Sequence, residues 1–170
     1  MQTIESTPLP DAEALVVELA RKLRPALTAN SALVGILTGG AWIAEKINSA
    51  LGGKLPMGTL DISFYRDDFE EIGLHKEVKP SSIGFDVAGR DIVLIDDVLF
   101  TGRTVRGAMN EMFDYGRPAS IRLAVLVDRG GREMPIAADF VAATLKLPES
   151  SSLHLDRDAN GKLSLSLHDE

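Results

Sequence analysis

Residues 91–105, DIVLIDDVLFTGRTV, run from an apolar stretch into two adjacent carboxylates, Asp96 and Asp97, and then into a Thr-Gly turn that reads as a helix start. Thr101, Gly102, Arg103 and Thr104 at such a start supply unpaired backbone N–H groups, two hydroxyls, a guanidinium and the positive end of a helix dipole, a set suited to a monophosphate. Paired carboxylates suit a phosphate poorly, but they accept hydrogen bonds from vicinal hydroxyls well. A phosphate at one end and a diol in the middle describe a ribose 5-phosphate. The bland alternative has the acids merely ending a strand and Thr101 merely capping a helix, and it leaves the doubled charge unexplained.

The flanking sequence places that stretch in an α/β domain with a mainly parallel sheet flanked by helices. Asp11 can cap a helix over residues 11–27, striped by Leu15, Leu19, Leu23 and Leu27, with Pro25 disturbing its last turn. SALVGIL (31–37) reads as a buried strand emptying into the glycine turn Thr38-Gly39-Gly40, followed by a helix over 41–51. MGTLDISFY (57–65) alternates as a second strand, and 91–95 is a third. The helix over 103–115 has the apolar stripe Val105, Ala108, Met109, Met112 and Phe113, and strands follow at 120–128 and 139–145. Residues 66–84 are charged and aperiodic, and read as a flexible hood or β-arm. Residues 148–170 read as a C-terminal hairpin turning around Asp158–Gly161.

The bulk numbers narrow the function classes. A chain of 170 residues with 45% hydrophobic and 25% charged residues suits one globular domain over 1–170. No cysteine occurs, which excludes disulfides, zinc-thiolate sites and thiol nucleophiles and makes a reducing cytoplasm the expected compartment. No apolar run is long enough to span a membrane, and no membrane partner is expected. The net charge of −7 gives no general attraction to nucleic acid. A P-loop would need Gly-Lys-Ser/Thr at the helix start and a dinucleotide fold G-x-G-x-x-G after the first strand, and neither is found. His75, His154 and His168 have no partner at ligand spacing and receive no metal or catalytic role.

VLIDDVLFTGRT (93–104) resembles the phosphoribosyl diphosphate (PRPP) signature of the type I phosphoribosyltransferases. Hypoxanthine-type members carry an acid before the Thr-Gly, where this chain has Phe100. LVGILTGGAWIAEKI (33–47), DISFYRDDF (61–69) and GRPASIRLAVLVDRGGREMPIAADFV (116–141) extend the resemblance to the PyrR family, pyrimidine operon regulators that double as uracil phosphoribosyltransferases. The resemblance implies a type I phosphoribosyltransferase-like fold and the reaction of uracil with PRPP to give UMP and diphosphate. It implies that Asp96 and Asp97 hold the ribose hydroxyls and that Val98, Leu99, Phe100, Thr101, Gly102, Arg103 and Thr104 hold the 5-phosphate. Thr38, Gly39 and Gly40 match the diphosphate loop, Tyr65 and Arg66 begin the hood, and Asp128 and Arg129 line the base end. Asp96, Asp97 and Arg129 are thereby the catalytic set. Mg²⁺ is implied as cofactor through substrate and water oxygens, with no direct protein ligand, and a homo-oligomer and pyrimidine leader RNA are implied as partners.

Two departures qualify the resemblance. Its members usually have Thr-Arg-Gly where this chain has Thr38-Gly39-Gly40, so backbone N–H groups, or Lys76 or Lys79 of the hood, would have to face the leaving diphosphate. Gly131, Ala137 and Ala143 stand where the family's RNA-binding face is basic, leaving Arg132 and a patch of Arg21, Lys22 and Arg24. The open alternatives are therefore a nucleotide-responsive RNA-binding regulator with little catalysis, and transfer to another base. Trp42 is expected to pack beside the diphosphate loop.

Overall fold

The computed structural model describes residues 8–63 and 81–170. Asp11, whose carboxylate accepts the Glu13 N–H at 3.1 Å, caps α1 (Ala12–Leu23). The helix tightens into a single 3₁₀ turn at Arg24–Ala26. The stripe predicts a helix to residue 27; the missing N–H of Pro25 ends it earlier, and Leu27 leaves the axis while still packing on the core.

The remaining elements are β1 (Ser31–Ile36), α2 (Gly39–Ala50), β2 (Met57–Leu60), β3 (Asp91–Leu99), α3 (Arg103–Asp114), β4 (Ser120–Asp128), β5 (Phe140–Thr144), β6 (Ser151–Arg157) and β7 (Leu163–Asp169). The first five strands form one sheet in the order β2-β1-β3-β4-β5, every pairing parallel. In this order the connections diverge to either side between β1 and β3, the switch point at which open α/β sheets leave a crevice beyond the strand ends. β6 and β7 pair antiparallel as a separate hairpin, as residues 148–170 lead one to expect.

Strand alternation divides the core in two. Leu33, Val93, Ile95 and Leu126 face α1, α2 and the hairpin's Leu153, Leu155 and Leu163. Val34, Leu94 and Val125 face Val105, Ala108 and Met112 of α3. The hairpin thus shares a core with the sheet's α1/α2 side.

Four local expectations are corrected. Asp96 and Asp97 do not end the strand but lie inside β3, because β4 keeps pairing through Asp96↔Val125, Val98↔Val127 and Leu99↔Asp128 after β1 has stopped at Gly35↔Ile95. Gly39 and Gly40 are the first turn of α2 rather than a turn before it, since the absence of Cβ atoms lets that turn sit against β3. The 57–65 strand ends at Leu60, and its Phe64 and Tyr65, with Arg66, His75, Lys76 and Lys79, fall outside the described residues. Phe113 is 56% exposed rather than core, because α3 turns Val105, Ala108 and Met112 to the sheet and leaves it outside that face.

Candidate active site

A cavity of about 410 Å³ opens at the β1/β3 switch point, a size that suits a small ligand. Its sheet-side wall is Thr38, Gly39 and Trp42 from the start of α2, and Asp97, Val98 and Phe100 from the end of β3; Arg129 and Ser152–Leu155 of β6 close the other side. The peptide between Leu37 and Thr38 is cis.

The sheet-side wall is built by close backbone approach. A Cβ on Gly35 would stand 2.5 Å from the Ala41 Cα, and one on Gly40 would overlap the Ile95 carbonyl. At Gly39 it would lie 2.5 Å from Oδ2 of Asp97. The Asp97 carboxylate therefore borders residue 39, where the resemblance leads one to expect arginine, and a side chain there would displace the carboxylate's far end.

The two acids are not equivalent. Consecutive strand residues face opposite sides of a sheet; Asp97 lines the cavity, whereas Asp96 is 5% exposed and lies on the side of α3. Oδ1 of Asp96 accepts the Asp97 N–H at 2.9 Å, and Oδ1 of Asp97 accepts the Val98 N–H at 2.8 Å, so each carboxylate also fixes the backbone after it.

Beyond β3 the chain turns through Phe100 and Thr101 into α3. Gly102 holds a left-handed φ of 94°, which glycine adopts without steric cost, while Oγ1 of Thr101 accepts the Arg103 N–H at 3.3 Å. The helix's first-turn amides and dipole face this loop. Arg103 is the exception to the expected phosphate set, since its Nε donates to Glu133 at 3.0 Å. Residues Thr101–Thr104 lie beyond the cavity's lining, in the end of the adjoining loop and the first turn of α3.

The base-end residues divide in the same way. Asp128 does not line the cavity: it accepts the Gly130 N–H at 2.9 Å and Arg132 Nη2 at 2.5 Å. Burial pushes its carboxyl up, but Arg132 and the Gly130 N–H outweigh that and hold it below the ordinary range. Arg129 does line it, 8% exposed, with its guanidinium 4.2 Å from the Phe100 ring centre. Nη1 and Nη2 donate to the carbonyls of Ser151 (2.7 Å) and Pro148 (3.0 Å), while its buried Nε has no acceptor among the described residues. Desolvation lowers its pKa, with Glu170 opposing.

The cavity-lining face of β6 is what the sequence does not reveal. His154, which the sequence leaves without a role, lies on it, packed edge-on against His168 with ring centres 4.8 Å apart. Trp42 sits beside the diphosphate-loop position as expected, but it also lines the cavity, with Arg157 of β6 4.7 Å from its ring centre. The alternation of SLHLD with KLSLSLH identifies a hairpin; where it docks depends on contacts with α1 and α2 that no local pattern encodes.

The comparisons with known proteins bear on the family and the fold. A phosphoribosyl transferase domain family matches residues 7–149. The Bifunctional protein PyrR of Pseudomonas fluorescens is 46% identical over 161 residues, covering 92% of this chain and 96% of that protein. Its counterpart in Nitrosococcus oceani is 54% identical over 126 residues, 73% of this chain and 71% of the relative. Among solved structures, a Staphylococcus aureus hypoxanthine phosphoribosyltransferase superposes with a TM-score of 0.62 at 22% identity, covering 88% of this chain and 84% of its own. A Bacillus anthracis hypoxanthine-guanine phosphoribosyltransferase reaches 0.65 at 18% identity, covering 85% and 86%. The low identities leave these two as likenesses of fold. Since the domain match and the PyrR relatives both span most of its length, the chain belongs to the phosphoribosyltransferase family, among its PyrR members.

Proposed function

We propose that the protein transfers the phosphoribosyl group of PRPP to uracil, giving UMP and diphosphate. The observation that supports this reading is Asp97 and Phe100 lining the switch-point cavity beside the first turn of α2, with the turn into α3 adjoining it. The first-turn amides of α3 with Thr101 and Thr104 take the 5-phosphate. Asp97 accepts from the ribose hydroxyls, and Asp96, which accepts the Asp97 N–H, holds that acid in place. Thr38, Gly39 and Gly40 offer backbone N–H groups and the helix dipole to diphosphate. The base lies toward Arg129 and Asp128, under the hairpin.

As the C1–diphosphate bond breaks, positive charge develops at C1, and fixed dipoles with exclusion of water by Leu153 and Leu155 lower that barrier. The donor chemistry fits Mg²⁺ carried by substrate: the Asp97 carboxylate lines the cavity and would offer it hard oxygen donors. Mg²⁺ so held would neutralise charge on the departing diphosphate.

Incubation with uracil, PRPP and Mg²⁺ should yield UMP, and a panel of other bases should react more slowly. Asp97→Asn should lower kcat/KM about tenfold to a hundredfold, as for loss of a charge-assisted hydrogen bond. Absence of any product from every base, or an Asp97→Asn variant as active as the parent, overturns the proposal.

Nucleotide-responsive RNA binding is the second reading, favoured by the word bifunctional in the names of the relatives. Against a strong RNA face, Arg21 is paired with Glu18, Lys22 Nζ donates to the Val141 carbonyl, and Arg132 is spent on Asp128 and the carbonyls of Phe100 and Ile136. UMP-enhanced, salt-dependent binding to its own leader RNA would establish this reading, and affinity indifferent to UMP would remove it.

A further inference from the structure

We propose that Arg129 is a positioning residue that ties the seating of the C-terminal hairpin to the state of the β3–α3 loop, so that sugar-phosphate binding at the loop organises the wall facing the base. The inference rests on the phosphoribosyl-transfer reading above and assigns one residue's work within it.

Arg129 is a cavity-lining residue that joins both walls. Toward the sheet, its own N–H donates to the Leu99 carbonyl at 3.0 Å, and its guanidinium lies over the face of Phe100, the first residue of the loop. Toward the hairpin, it donates to Pro148 and Ser151, the carbonyls on which β6 is rooted; the Ser151 N–H and hydroxyl return to the same Pro148 carbonyl at 3.0 and 2.8 Å. A guanidinium presents its donors in a rigid planar fork, so these partners cannot shift independently.

Phe100 has little freedom to move away. A Cβ on Gly131 would overlap its ring, so the ring is held between Gly131 and the guanidinium. A loop that closes on a phosphate moves Phe100, and the arginine carries that movement to Pro148 and Ser151. The geometry leaves only one of the guanidinium's three nitrogens, Nε, uncommitted in a buried setting, so the group's chief work is holding these two segments, not contacting the base.

The test uses the full chain and two readouts, amide hydrogen exchange with and without PRPP and steady-state kinetics. In the parent, PRPP should slow exchange in residues 98–104 and also in 151–157. In Arg129→Met, protection of 98–104 should persist while protection of 151–157 is lost. KM for the base should rise about tenfold, the scale of lost charge-assisted hydrogen bonds, and by more than KM for PRPP. Arg129→Lys, which keeps the charge and loses the fork, should lose the coupling as well, and Phe100→Leu, which spares the carbonyl bonds, should weaken it; these milder variants decide the matter if Arg129→Met fails to fold. Equal hairpin protection in parent and variants, or a fall in kcat with KM for the base unchanged, overturns the proposal. A parent in which PRPP protects neither segment overturns the phosphoribosyl-transfer reading, and this inference with it.

Discussion

The two walls of the cavity are made in different ways. On the sheet side, Thr38–Trp42 and Asp97–Phe100 lie at the ends of the adjacent parallel strands β1 and β3, and their spacing is set by backbone against backbone, with no room for a Cβ at Gly35 or Gly40. On the hairpin side, Ser152–Leu155 reach the cavity only because Leu153, Leu155 and Leu163 dock on α1 and α2 and because a few polar contacts pin the strand ends. The first wall is as rigid as the sheet; the second is as secure as its docking. An enzyme that must exclude water during transfer yet release a nucleotide is well served by one fixed wall and one that is held more lightly.

The sharpest way to break this contrast is Gly40→Ala. Its methyl would overlap the Ile95 carbonyl and lie 3.2 Å from the Asp96 Cα, so α2 must move off β3. Overpacking against backbone should cost about 3 kcal/mol in urea unfolding, with loss of most transferase activity. An alanine tolerated here at full stability would show that the sheet-side wall is not fixed by backbone contact.

That wall was legible in the sequence for the reason that makes it rigid. Asp96, Asp97 and Thr101–Thr104 are neighbours along the chain, and a strand–turn–helix passage fixes their relative positions locally. Thr38-Gly39-Gly40 could be placed beside them because parallel strands bring such turns to one edge. Local pattern erred where tertiary contact decides: β4 prolongs β3 through the paired acids, and α3 leaves Phe113 outside the core. The division of labour between Asp96 and Asp97 follows from that prolonged strand, which places them on opposite faces. The hairpin itself was read, but its docking as a cavity wall was not, since the partners of Arg129 and Leu163 lie 19 or more residues away or on another element.

The next test strikes the docking. Leu163 is 1% exposed in the core shared by the hairpin, α1 and α2. Leu163→Ala should destabilise by about 2 to 4 kcal/mol, as buried leucine truncations do, and should raise KM for the base more than KM for PRPP. Equal effects on the two would mean that the walls act as one body.

A smaller effect is expected from Arg157→Ala, which removes the guanidinium over Trp42 and frees the far end of β6. Cation–π contacts near a surface are worth about 0.5–1 kcal/mol, so KM for the base should rise about two- to fivefold. Trp42 is the only tryptophan, and its fluorescence reports the contact directly. Unchanged emission in Arg157→Ala would show that the stack is not populated in solution.

The mildest perturbation is acid. Oε1 of Glu13 in α1 accepts the Leu163 N–H at 2.7 Å and lies 3.2 Å from Lys46 Nζ. The Leu163 N–H is the main cause that holds this carboxyl below its ordinary value of 4.5, with burial opposing and Lys46 assisting. Because the folded-state pKa is depressed, the stabilisation is complete above 4.5 and disappears as pH falls through the lower folded value. Asp128, likewise held below its ordinary value of 3.8, belongs to β4 and not to the hairpin. Glu13→Gln keeps an oxygen for the Leu163 N–H but cannot titrate. Below pH 4.5, hydrogen exchange in 163–169 should accelerate in the parent relative to 91–99 and stay level in Glu13→Gln. If both segments accelerate together in both proteins, acid loosens the whole fold, and the hairpin is held no more lightly than the sheet.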